Sequence, residues 1–224
     1  LLDIERSGVA EVIPTARAEF FQYATTTTIL NGFVPPTSTV GGQNTALVTL
    51  TTPAPNSVVI SLAGVTYNPP GDNIDGTGPG SDIVFATITV ANLTNNTQLE
   101  SIVIPYVFHI VVTDYPTFNA PGAVGSATFD IQGTLSGTVG KLGGGKQVNL
   151  TTNVLDPNNV YTKQIGNEYY TLSLFSYVPP GFFPGAFGAH VTAVAVPEPS
   201  TVALLSMGLL ALATPAYRRL RRKS

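Results

Sequence analysis

The chain has 224 residues, 43% of them hydrophobic and only 10% charged, with neither cysteine nor tryptophan. The missing cysteine excludes disulfides, thiolate catalysis and cysteine-based zinc sites, and the apolar content excludes a disordered chain. The formal charge of −3 hides an acidic body: residues 1–196 hold twelve acidic and five basic side chains, with no Lys or Arg between Arg17 and Lys141, so nucleic acid is excluded as a partner.

Residues 1–17 read as an N-terminal segment ahead of a domain spanning 18–196. Leu1–Phe20 carries Asp3, Glu5, Arg6, Glu11, Arg17 and Glu19. It therefore contains no apolar stretch of the kind a secretory leader needs. Strands are expected at Glu19–Leu30, Thr45–Thr51, Val58–Thr66 and Asp82–Leu93, separated by turn clusters such as Asn31-Gly32, Gly41-Gly42 and Pro69-Pro70-Gly71. Asp72–Asp82 is the calcium candidate. Asn73, Asp75 and Asp82 offer the oxygen ligands that a hard cation prefers, although Gly71 stands where an EF-hand loop has its first ligand. A plain solvated turn is the alternative, and no other cofactor is expected.

Ser101–Thr113 is apolar at both parities, which predicts a central strand covered on both sides, with Pro105 near a strand start or a bulge. Ser126–Val139 alternates cleanly, with Phe129, Ile131, Leu135 and Val139 on one parity and polar residues on the other. Gly133 and Gly137 fall on the buried parity, which predicts a bulge or a close neighbour. Gly140–Gln147 comes one residue from a phosphate-binding loop, but Gln147 replaces the hydroxyl residue and a strand follows, so a hairpin turn is expected. Gln147–Thr152, Tyr169–Tyr177 and Ala189–Val194 complete the strands. The whole predicts an all-β fold, a single sandwich of about eight to ten antiparallel strands.

No catalytic motif is present, and the body is not expected to be an enzyme. His109 reads as a packed or surface strand residue, and His190 opens the last strand. Two histidines without cysteine are too few for a typical zinc site. Tyr115, Phe118, Phe182, Phe183 and Phe187 are read as loop aromatics, either packed or offered to a sugar.

The last 28 residues are the most specific part. Pro197-Glu198-Pro199-Ser200-Thr201 precedes sixteen uncharged residues, Val202–Tyr217, and then Arg218, Arg219, Arg221, Arg222 and Lys223. As a helix the apolar run would be about 24 Å long, slightly short for a bilayer core of about 30 Å. The basic cluster would hold the C-terminus in the cytoplasm as a stop. A transmembrane helix at 202–217 is therefore expected.

This three-part tail resembles a PEP-CTERM sorting signal. Pro197, Glu198 and Pro199 correspond to its namesake motif, 202–217 to its hydrophobic segment and 218–224 to its basic tail. The resemblance implies recognition by exosortase, a membrane protease-transpeptidase, in bacteria that make extracellular polysaccharide. Export also implies a leader removed from, or lying outside, this chain. The body itself is similar over about 30 residues, Gly166–Leu172 and Ala189–Thr192, to other exported proteins with this tail, which implies no activity. The expected protein is exported to the cell envelope, anchored by its helix before processing, and then placed at the cell surface or in the extracellular matrix. Its expected role is structural or adhesive, with polysaccharide as a possible partner. The alternative is an extracellular carbohydrate-binding or carbohydrate-hydrolysing domain.

Overall fold

The computed structural model describes residues 20–35, 38–53, 58–67, 80–91, 99–116, 122–142, 145–156, 158–175, 177–181 and 184–196. All regular structure among them is strand: β1 Phe20–Ile29, β2 Thr39–Gly41, β3 Leu47–Thr51, β4 Val59–Gly64, β5 Thr66–Tyr67, β6 Ser81–Ala91, β7 Glu100–Tyr115, β8 Gly125–Leu142, β9 Gly145–Val154, β10 Val160–Ile165, β11 Glu168–Leu174 and β12 Gly185–Ala195. One antiparallel sheet runs β5-β1-β7-β8-β9 and the other β10-β11-β12-β6-β4-β3-β2. By contacts the chain divides into units 1–194 and 195–224, and everything from 197 onward lies outside the described residues. The expected transmembrane helix falls there. Among the described residues no helix is long and apolar enough to cross a membrane.

Alternation builds both sheets. In β1 the odd positions Phe21 to Ile29 are buried and the even ones half-buried. In β8 the buried parity contains Phe129, Ile131, Gly133, Leu135 and Val139. Gly133 and Gly137 of β8 both have the close neighbour that their parity predicts. A Cβ on Gly133 would sit 2.5 Å from the Tyr106 hydroxyl, and one on Gly137 (φ +148) would overlap the Asn149 carbonyl. The turn at 140–147 is a hairpin: Gly140 pairs with Gln147 and Leu142 with Gly145.

Among the described residues twelve strands replace the expected eight to ten, because the sequence hides one division and two polar edges. The Val58–Thr66 stretch divides at Gly64: β4 pairs with β6 in the larger sheet, while β5 pairs with β1 in the smaller. The chain crosses between sheets tightly, and a Cβ on Gly64 would overlap the Thr25 carbonyl. β2 has only three residues, and β10 is polar and exposed over most of its length.

β7 is central, between β1 and β8, but it is not covered on both sides. Its even residues from Ile102 to Val112 are buried, whereas Val103 is exposed and His109 and Val111 are half-buried. Val107, on the same outward parity, is buried, so that face is covered only in part. Pro105 lies well inside the strand. Its carbonyl accepts from the Leu30 amide at 2.8 Å, but it has no amide to return the bond, and β1 stops at Ile29 opposite Tyr106. Pairing resumes at Val34–Val103.

The two sheets share one core. At its centre the rings of Tyr106, Phe108 and Phe187 lie 4.6–5.7 Å apart, with Phe85 at 5.6 Å from Phe108. Each such pair adds about 0.5–1.5 kcal/mol to what area burial supplies. Polar ties cross between the sheets: the Tyr23 hydroxyl donates to the Val84 carbonyl at 3.0 Å, and Tyr170 to the Asp114 carboxylate at 2.8 Å.

Candidate functional site

Three groups of polar side chains in the body have defined geometry. The first is a pair of cross-strand histidine–aspartate contacts. His109 on β7 faces Asp130 on β8 in register, with Nδ1 2.7 Å from the carboxylate. Its Nε2 is 3.2 Å from the Thr28 hydroxyl, which in turn donates to Asn44. His190 on β12 faces Asp82 on β6 in the same way, at 2.6 Å. Both imidazoles are about one-third exposed, on interior strands of the two sheets. Directly opposed cross-strand side chains that interact in this way stabilise a sheet pair.

The second group is buried. Asp114, the residue before the last of β7, is buried at 4% exposure. Burial pushes its carboxyl above the ordinary value; the Tyr170 hydrogen bond opposes the shift and nearby Glu168 adds to it. The Glu168 Oε2 atom is itself buried, with no hydrogen-bond partner among the described residues.

The third is the flank of the sandwich along β9, the outermost strand of the smaller sheet. Two grooves border it. One, of about 440 Å³, is lined by Leu99, Thr138, Gly181 and β9 residues Lys146–Asn149. The other, of about 330 Å³, lies between Thr152–Val154 and Leu174, Phe175 and Tyr177, with Asp156 and Asn159 at its side. The Tyr106 hydroxyl meets Thr152 Oγ1 at 2.6 Å behind this second groove. Burial pushes the Tyr106 phenol up to about 12, partly offset by that bond. Tyr177 is pushed up by burial as well, and its hydroxyl has no partner among the described residues.

The residues singled out in the sequence fall differently. Of the calcium candidate, Asn73 and Asp75 lie outside the described residues, and Asp82 is paired with His190. Among the described residues no three His, Asp or Glu side chains converge as a metal cluster. Phe118, Phe182 and Phe183 also lie outside. Phe187 is not a loop residue: it is on β12 in the aromatic core at 5% exposure. The Gly185-Ala-Phe-Gly188 stretch looks like a loop, yet its glycines admit close strands, and a Cβ on Gly185 would lie 2.5 Å from the Val178 carbonyl. Tyr115 closes β7 and donates to Gln22 at 3.0 Å.

Pro197, Glu198, Pro199 and the basic cluster Arg218, Arg219, Arg221, Arg222 and Lys223 are likewise outside the described residues. Only Val196 separates the end of β12 from Pro197. Residues 195–222 match the family model of the PEP-CTERM protein-sorting motif. The PEP-CTERM signal marks an exported protein that exosortase recognises and sorts, with processing associated with the membrane. No curated protein matches the chain, and no solved structure does.

Proposed function

We infer that the body is a structural or adhesive component, not an enzyme, which the PEP-CTERM signal delivers to the cell surface or extracellular matrix. The observation that supports this most is how the interior is used. The space between the sheets is filled by Phe85, Tyr106, Phe108 and Phe187. The carboxylates of Asp82 and Asp130 are engaged by histidines, and that of Asp114 by a tyrosine. Glycoside hydrolysis needs two free carboxyl groups facing a substrate cleft. In this reading the apolar tail segment holds the chain at the membrane until it is processed.

The test is fractionation of the native host with intact-mass measurement and hydrolysis assays. The expected result is a body in the surface or matrix fraction that lacks the basic tail and leaves host polysaccharide chain length unchanged. Shortening of that polysaccharide by the purified protein would replace this reading with the carbohydrate-active one.

A further inference from the structure

The four sheet edges are not alike. β5 has two residues and β2 three, too short to template a partner. β10 has six, and its Lys163 reaches across to the Thr128 carbonyl at 2.5 Å and lies over the Phe129 ring. Short strands and lysines are the usual devices that keep edges from pairing. β9 has ten residues, and Gln147–Val154 contains no charge, proline or glycine. Its single lysine, Lys146, is turned away to the Val90 carbonyl at 2.8 Å.

Which backbone groups of β9 face outward follows from its ladder. Leu155 donates to the Gln132 carbonyl, toward β8. Alternation then directs Asn153, Thr151 and Asn149 toward β8 as well, and the amides and carbonyls of Val148, Leu150, Thr152 and Val154 away from it. Among the described residues no strand pairs with β9 on that side.

We propose that β9 is a self-association edge: two copies of this chain pair antiparallel through β9, joining their five-stranded sheets into one of ten strands. One register uses all four outward-facing residues. A two-fold axis at Thr151 sets Val148 opposite Val154 and Leu150 opposite Thr152 of the second copy. The same register sets Lys146 opposite Asp156, a pair of unlike charge. Asn149 then faces Asn153, and the two Thr151 side chains meet at the axis. The inference rests on edge geometry and holds whether or not the body proves to be an enzyme.

The absence of cysteine provides the test. Thr151→Cys and Ser126→Cys, both at exposed strand positions, are compared in the full-length chain in detergent under mild oxidation. Residues directly opposed across the axis come within the Cα separation of about 4.4–6.8 Å that a disulfide spans. Thr151→Cys is expected to form disulfide-linked dimers at least about tenfold faster than Ser126→Cys. Thr151→Lys, which opposes two like charges, is expected to raise the dissociation constant by roughly tenfold in sedimentation equilibrium. Equal cross-linking of the two cysteine variants, or sedimentation unchanged by Thr151→Lys, overturns the proposal. A chain that is monomeric until residues 1–19 are removed does so too, by showing that its own N-terminal segment occupies the edge.

Discussion

β9 and β10 flank the same long strand and end differently. β9 pairs with the second half of β8, from Gly133 to Leu142. β10 lies beside the first half, where Lys163 caps the Thr128 carbonyl that β9 does not reach. The lysine of β10 covers an open carbonyl of β8, whereas the lysine of β9 is withdrawn to Val90 and the β9 backbone is left open. Both edges hang from one core, so the difference is local chemistry rather than local stability. A chain that blunts three edges and leaves the fourth long and uncharged has an asymmetry that folding alone does not require.

The largest perturbation removes what the edges share. Phe108→Ala deletes the ring at the centre of the aromatic cluster and is expected to cost about 3–5 kcal/mol, with one cooperative loss of β9 and β10 in chemical denaturation. Separate transitions for the two edges would break the common-core account. Gly133→Val acts on the β9 side, because its Cβ would crowd the Tyr106 hydroxyl that bonds Thr152. Overpacking of this kind costs about 1–3 kcal/mol, and amide protection should fall on β9 before β10.

Asp114→Asn probes the opposite end, where Tyr170 ties β11 to β7. Burial raises the folded-state pKa of Asp114 above its unfolded value of 3.8, with Glu168 adding to the shift. At pH below that value both states are protonated and the group costs nothing. As pH rises through the interval up to the raised pKa, the unfolded state ionises first and stability falls. Asn keeps an acceptor for Tyr170 without the charge, so the variant should lose less stability than the parent between pH 4 and pH 7. Parallel pH profiles would show that Asp114 is not the group responsible. The smallest effect is expected from Lys163→Ala: about 0.5–1.5 kcal/mol in stability, with the Thr128 carbonyl of β8 left without its cap and a rise in association through that uncovered stretch of β8.

The sequence reveals the strands wherever one face is buried and the other wet. β1 and β8 follow their alternation, β6 changes parity between Phe85 and Ala86, and the glycines of β8 mark the close approaches of Tyr106 and β9. It misleads where composition and position diverge. β7 is apolar at both parities, yet its outward face is only partly covered, since a central place in a sheet does not ensure a second layer. β10 escapes because Tyr161–Gln164 alternates weakly and is exposed. Phe187 reads as a loop residue because it lies between glycines that the packing needs. The histidine–aspartate pairs depend on register between strands 21 and 108 residues apart in sequence, which no local pattern encodes. The PEP-CTERM tail is legible for the opposite reason: its motif, apolar run and basic cluster are contiguous, and its meaning needs no fold.

The most direct test of the difference between the two edges is residue-resolved amide hydrogen exchange across a concentration series. The account predicts that the amides of Val148, Leu150, Thr152 and Val154 become protected as concentration rises. The outward amides of β10, at Val160, Thr162 and Gln164, should not change. Equal and concentration-independent exchange at both edges would contradict it.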